Sequence, residues 1–133
     1  MALDYSSGAE ADLANLDATD PEAHDLILVF LEEADVDQKL IDRFTTRGDG
    51  TLGKWHFNIK QWEATRGVAN LYRIRVLDSP ATDYRVVYGY DWLQRRICVL
   101  AIAHKELFNY EPSSDLGGRI LKDWCEYTGG RKT

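Results

Sequence analysis

The sequence predicts an α+β domain in which helices come first along the chain and an antiparallel sheet follows. Over residues 1–53, apolar residues repeat at helical spacing. From Lys54 onward they alternate with polar residues, as they do in half-buried strands. With 133 residues, 44% of them hydrophobic, the chain is long enough for one core and too short for two. We therefore expect a single domain over residues 1–133, with a helical part at 1–53 and a sheet part at 54–133.

The first elements are predicted from capping residues. Residues 3–6 favour a short strand. Ser7, followed three residues later by Glu10, forms a capping box that opens a helix. Apolar residues at helical spacing continue this helix to about Leu16.

Two more helices complete the helical part. Asp20 is expected to cap the second, with Pro21 in its first turn, where the missing proline N–H costs no hydrogen bond. Asp35 is expected to cap a third helix that reaches Phe44. The glycine-rich segment 47–53 then ends the helical part.

Period-two alternation predicts about four strands in the second part, with short connections between them. Such spacing favours a twisted antiparallel sheet with the helices gathered on one face. A short C-terminal helix is expected from about Leu116 to Tyr127. The predicted strands begin near residues 54, 70, 83 and 97.

Charge is divided unevenly along the chain. Residues 1–53 hold 13 acidic and 3 basic residues, whereas residues 54–133 hold 9 acidic and 13 basic ones. The first part is therefore unsuited to contact with a polyanion, and the second part is suited to it. The alternative is a solvated acidic helix surface beside a mildly basic sheet.

The sequence predicts a cytoplasmic protein without membrane contact. No apolar run approaches the length needed to span a bilayer, and the N-terminal residues lack the pattern of a secretory signal. Cys98 and Cys125 stand in no metal-binding or redox spacing, so free thiols are expected. The oligomeric state stays open.

Several cations are predicted to share one face of the sheet. If the strands pair antiparallel in sequence order, the polar positions of three strands coincide. Clustered cations repel one another and favour a bound anion, and arginine binds phosphate oxygens through two parallel hydrogen bonds. Trp62 and Tyr72 are then available to stack on bases. The predicted cations are Lys54, His56, Lys60, Arg73, Arg75 and Arg85.

The alternative is internal pairing. A wet face of an antiparallel sheet must carry polar residues in any case. The arginines could therefore form ion pairs within the chain, either with the acidic helices or with Asp78, Asp83 or Asp91. From spacing alone, the two readings are about equally supported.

The succession NLYRIRVLD, DYRVVYGYD and RRICVLAIAHKELFNY resembles the core pattern of the RelE/ParE toxin superfamily. The resemblance covers residues 57–110 well and extends loosely to the N-terminal segment LDYSSGAEADLANL. It implies a RelE-like fold, with two N-terminal helices on a twisted antiparallel sheet. It also implies the role of a toxin in a bacterial toxin–antitoxin system, neutralised by a cognate antitoxin protein.

Three functions are compatible with this resemblance. RelE- and HigB-like members cut messenger RNA in the ribosomal A site, which implies an endoribonuclease that binds mRNA and the ribosome. ParE-like members inhibit DNA gyrase without hydrolysis. A non-toxic interaction module with the same fold is the third possibility.

The resemblance also implies roles for individual residues. Arg73, Arg75 and Arg85 would hold phosphate, because a guanidinium does not lose its proton in proteins. The base would then be Tyr110 or His104, and no metal or other cofactor is implied. The implied catalytic residues are Arg85, His104 and Tyr110, and the implied RNA-binding residues are Arg73, Arg75, Lys60, Lys54 and Lys105.

Overall fold

The computed structural model describes residues 3–131 and confirms the α+β class. Its centre is a six-stranded sheet with the strand order β1-β6-β5-β4-β3-β2. Neighbouring strands are antiparallel, except that β1 runs parallel to β6. The elements are β1 Leu3–Tyr5, α1 Ser7–Thr19, α2 Pro21–Asp35, α3 Leu40–Phe44, β2 Gly48–Leu52, β3 Trp55–Gln61, β4 Leu71–Val76, β5 Tyr84–Asp91, β6 Arg96–His104 and α4 Asp115–Thr128.

Helices cover both faces of the sheet, so the prediction that they gather on one face is wrong. One face, here called the helix-covered face, packs against α1, α2 and α3. Its centre is an aromatic cluster in which Phe44 contacts Phe30, Phe57 and Tyr88 at ring-centroid distances of 5.0 to 6.4 Å. No helix within residues 3–131 has both the length and the apolar character needed to cross a membrane.

The C-terminal helix α4 covers part of the opposite face. It has 14 residues, so it is not short as predicted. The indole ring of Trp124 lies directly over Gly89 of β5, where an added Cβ atom would come within 2.5 Å of the ring. Glycine is therefore required at this position for α4 to approach the sheet closely.

The caps of the first helices differ from the predicted ones. The hydroxyl of Ser6, rather than Ser7, accepts the N–H of Ala9 and caps α1. Asp35 ends α2 instead of capping a third helix, and its carboxylate accepts the N–H of Leu3 at 2.9 Å. The acidic residue therefore ties the end of α2 to the first strand.

The glycine-rich segment forms an edge strand, β2, which the sequence did not predict. It pairs with β3 through the two-residue turn Gly53-Lys54, in which Gly53 adopts a φ of +56°. Gly50 lies against Phe57, whose ring would be 2.5 Å from an added Cβ atom. Two of the glycines thus serve a hairpin rather than a helix end.

Candidate functional site

The strand register brings the predicted cations together on the face opposite the helix-covered face. Lys60 of β3 is directly opposite Arg73 of β4, and Asn58 is opposite Arg75. Arg85 of β5 lies on the same face, because Arg73 pairs with Val87 two residues further along. We call the part of this face that carries these residues, and that α4 leaves uncovered, the arginine face.

Internal pairing does not account for the arginines of this face. Within residues 3–131, no carboxylate forms an ion pair with Arg73, Arg75 or Arg85. Two of the acidic residues considered as partners pair elsewhere. Asp83 pairs with Lys105 at 3.2 Å, and Asp91 pairs with Arg131 at 2.6 Å.

Arg73 is the most deeply buried arginine of the face, with 4% of its surface exposed. Its Nε donates to the hydroxyl of Tyr110 at 2.9 Å. One terminal nitrogen donates to both the backbone oxygen and the side-chain oxygen of Asn58, at 2.9 and 3.0 Å. The guanidinium is therefore held by hydrogen bonds without a carboxylate, and it donates directly to the phenol oxygen.

Tyr110 belongs to the loop between β6 and α4, which folds over the sheet. Its backbone has a φ of +63°, and its carbonyl accepts the indole N–H of Trp62 at 2.9 Å. Its ring packs against that of Phe108 at 4.6 Å. A non-glycine residue in the left-handed region is uncommon and signals local constraint at this position.

The aromatic residues expected to stack on bases are buried instead. Trp62 is 1% exposed and holds the loop through the bond to Tyr110, and Tyr72 is 7% exposed on the helix-covered face. Neither presents a ring to a ligand.

Arg75 and Arg85 are the two arginines available to a ligand. Arg75 is half-buried, and its Nε lacks a hydrogen-bond partner among the described residues. Arg85 donates to the backbone oxygens of Thr82 and Tyr84 at 2.9 and 3.2 Å. Burial and the charges of Arg73 and Arg75 lower the pKa of Arg85 from its usual value, as expected of cations crowded together without an anion.

His104 does not join this cluster. Its ring packs against that of Tyr84 at 5.4 Å, on the helix-covered side, where it lines a groove of about 550 Å³ between α1, β6 and α4. The cause is a β-bulge in β6, where Val87 pairs with Ala101 and Tyr88 with Val99. One extra residue reverses the alternation, so every later side chain of β6 points to the other face.

The lysines predicted to bind RNA occupy three different environments. Lys60 is exposed on the arginine face, opposite Arg73. Lys54 lies in the turn before β3 and is also exposed. Lys105 follows β6 and forms an ion pair with Asp83 at 3.2 Å.

Asn58 of β3 gains an importance that the spacing analysis did not give it. Asn58 was expected only as one polar residue of an alternating strand, yet it contacts Arg73. His56, two residues earlier, points to the same face in a position diagonal to Arg75. The period-two pattern placed both side chains on the correct face, but it could not show which neighbours they contact.

A separate group of polar residues lies where α1 meets α2. Asp17, His24 and Asp25 bring three potential ligand atoms within 4.8 Å of one another. The Nδ1 atom of His24 is 2.9 Å from Asp25 and 3.6 Å from Asp17, as in a hydrogen-bonded surface cluster. The sequence spacing gave no indication of this group, which belongs to the helical part.

The arginine face has the chemistry of a phosphodiester site. Guanidinium N–H groups without an internal anion can stabilise a phosphate and the extra negative charge of its transition state. The Tyr110 hydroxyl accepts a bond from Arg73, which leaves its own proton free to be donated. Comparison with family models, curated proteins and solved structures found no match to this chain.

Proposed function

We propose that this protein is a metal-independent endoribonuclease, the toxin of a bacterial toxin–antitoxin system, which cuts messenger RNA at the ribosome. The observation that carries the proposal is the cluster of Arg73, Arg75 and Arg85 without carboxylate partners, next to the Tyr110 hydroxyl. A gyrase inhibitor acting only by protein contact has no need of a proton donor beside such a cluster.

The reaction begins with attack of a ribose 2′-hydroxyl on the adjacent phosphate. Arg75 and Arg85 donate N–H groups to the nonbridging oxygens, where negative charge develops. The bond from O2′ to phosphorus forms and the bond from phosphorus to O5′ breaks. The products are a 2′,3′-cyclic phosphate and a 5′-hydroxyl end.

Two protons must move in this reaction. Tyr110 donates its hydroxyl proton to the departing O5′, while Arg73 holds the phenol oxygen. His56, a histidine of the arginine face, accepts the proton of the 2′-hydroxyl as the general base. Exchange with water then restores both groups. His104 has no part in this scheme, because it lies beyond the sheet.

The biological role rests on the resemblance of residues 57–110 to RelE- and HigB-like toxins. In this role the protein is cytoplasmic and is neutralised by a cognate antitoxin. A hairpin of α1 and α2 on one face of a largely antiparallel sheet agrees with the RelE-like fold that the resemblance implies. The acidic helical part faces away from the arginine face and leaves it accessible to RNA.

The test measures RNA cleavage in cells and with purified components. Induced expression should arrest bacterial growth, with new mRNA ends that carry 2′,3′-cyclic phosphate. Purified protein with programmed ribosomes should cut the same sites in the presence of EDTA. A 2′-deoxy substitution at the cut nucleotide should block the reaction.

Variants assign the roles. Tyr110→Phe and His56→Gln should each lower kcat by about 10²- to 10⁴-fold, the usual range for loss of a general acid or base. Lys39→Ala is the matched control, because it removes one exposed positive charge outside the arginine face. Growth arrest with intact mRNA would contradict the proposal and indicate a protein target such as gyrase. Products with a 5′-phosphate would contradict the chemistry.

A further inference from the structure

A chain of hydrogen bonds crosses three neighbouring strands and ends at Tyr110. Asn58 donates from Nδ2 to Asp49 at 2.9 Å, and its Oδ1 accepts from Arg73 at 3.0 Å. Arg73 in turn donates from Nε to the hydroxyl of Tyr110 at 2.9 Å. The chain therefore runs from the edge strand β2 through β3 and β4 to the phenol oxygen.

Each link fixes the orientation of the next. An amide group can accept only at its oxygen and donate only at its nitrogen, so Asp49 and Arg73 together determine which way the Asn58 amide points. Arg73 is 4% exposed and is held by three hydrogen bonds, so its guanidinium cannot turn toward a ligand without breaking them. This distinguishes it from Arg75, whose buried Nε has no partner among the residues described.

The loop that carries Tyr110 does not by itself orient the hydroxyl. The bond from Trp62 to the Tyr110 carbonyl and the packing of Phe108 place the backbone and the ring. Neither contact reaches the phenol oxygen. Arg73 donates to this oxygen at 2.9 Å, and Arg85 also interacts with the Tyr110 side chain.

We propose that Asn58 is a positioning residue, which aims the Tyr110 hydroxyl through Arg73, and that Arg73 positions Tyr110 instead of binding phosphate. The inference rests on the proposed function for its effect on catalysis. It makes the hairpin of β2 and β3, whose first strand belongs to the acidic part at residues 1–53, a working part of the site. Asp49 contributes less than Asn58 to the position of the Tyr110 hydroxyl, because it is exposed and one hydrogen bond further from that hydroxyl.

The principal test is a double-mutant cycle on RNA cleavage. Asn58→Leu keeps the side-chain size and removes both hydrogen bonds of the side-chain amide. It should lower kcat by about 10- to 100-fold, as small misplacements of catalytic groups do. KM should stay within about threefold, because Arg75 and Arg85 still bind the phosphate. In a Tyr110→Phe background, Asn58→Leu should lower kcat by less than about twofold, since the hydroxyl that Asn58 positions is gone. Additive losses would overturn the proposal.

A second measurement does not depend on cleavage. The Arg73 Nε–H signal in an ¹H–¹⁵N spectrum, assigned by its absence in Arg73→Lys, should exchange slowly and should shift in both Asn58→Leu and Tyr110→Phe. An unchanged signal in Asn58→Leu would overturn the proposal, whether or not the protein cuts RNA. Shifted signals in a protein without ribonuclease activity would support the positioning and refute the proposed function.

Two further variants separate position from folding. Asp49→Ala should lower kcat by only about threefold, because it removes the outermost bond of the chain. Thr51→Ala, at an exposed position of the same strand, should leave kcat unchanged. A loss in Thr51→Ala equal to that in Asn58→Leu would show that the hairpin acts only by supporting the fold, and would overturn the proposal.

Discussion

Two sets of arginines in this protein have opposite surroundings. Those of the first set lie at junctions between elements, and each forms an ion pair with an aspartate at 2.5 to 2.8 Å. Those of the second set lie on the central strands β4 and β5 and have no carboxylate partner among the described residues. The first set is Arg43, Arg96, Arg119 and Arg131, paired with Asp37, Asp4, Asp12 and Asp91; the second is Arg73, Arg75 and Arg85.

The difference separates two uses of the same side chain. A paired arginine joins segments that are distant in sequence, as Arg119 of α4 joins Asp12 of α1. Unpaired cations on adjacent strands repel one another, and the protein gains no stability from their charge. A fold rich in aspartate could have neutralised them. The exposure of Arg75 and Arg85 to a ligand instead of a carboxylate is what an anion-binding surface requires.

The largest expected effect comes from removing an unpaired arginine. Arg75→Met should lower RNA cleavage by about 10²- to 10³-fold, because a donor to the developing charge is lost. Its unfolding free energy should change by less than about 1 kcal/mol, since its Nε has no hydrogen-bond partner among the described residues and repulsion is relieved. Cleavage kinetics and urea unfolding of the same preparation check both expectations.

Arg85→Ala sharpens this prediction. It should also abolish growth inhibition. Because the variant loses two hydrogen bonds to backbone oxygens, its free energy of unfolding should fall by about 1 kcal/mol. The melting temperature should therefore fall by only a few degrees. A variant that is inactive because it fails to fold would show that Arg85 is structural, and would remove it from the second set.

The composition of the second set could be predicted from the sequence. Strict period-two alternation puts Arg73 and Arg75 on one face, and pairing of successive strands adds Arg85. Tyr110 was placed in the site only by the family resemblance, because nothing in the sequence pattern connects a loop after β6 with β4. Its contact with Arg73 depends on how that loop folds over the sheet.

Two features could not be predicted, for identifiable reasons. His104 was assigned to the site by the family resemblance, but the bulge near Ala101 turned it to the helix-covered face, and a bulge leaves no reliable mark in one sequence. The strand β2 was missed because glycine and aspartate are depleted in strands. Here Gly50 is needed for contact with Phe57, a requirement visible only once the strands are paired.

The acid stability of the protein tests the first set. Asp91 is fully buried, and hydrogen bonds from Arg131 and Gln94, opposed by burial, lower its pKa to about 2 from the ordinary 3.8. A lowered pKa adds stability that is fully present above about pH 4 and is lost as the pH falls toward 2. The free energy of unfolding of wild type should therefore exceed that of Asp91→Asn by up to about 2 kcal/mol at pH 6. An advantage that persists at pH 2 would show that the charge of Asp91 is not its source.

A smaller effect is expected at the junction of α1 and α4. Arg119→Met leaves the Asp12 carboxylate, which is 16% exposed, without its charged partner. Because Arg119 is itself about one third exposed, the free energy of unfolding should fall by about 1 to 2 kcal/mol, less than for a fully buried pair. RNA cleavage by the folded protein should match wild type. A loss of cleavage without a loss of stability would break the division between the two sets.

The smallest effect is expected where pairing is present but solvent surrounds it. Glu63 is 57% exposed and lies 3.4 Å from Arg47 and 3.3 Å from Arg66, both of which are more than half exposed. Such pairs gain little in water, so Glu63→Gln should change the unfolding free energy by less than about 0.5 kcal/mol, and 1 M salt should abolish the difference. A salt-resistant loss above 1 kcal/mol would mean that pairing stabilises this fold regardless of burial. The junction arginines would then owe their effect to charge alone, and their depth between elements would explain nothing.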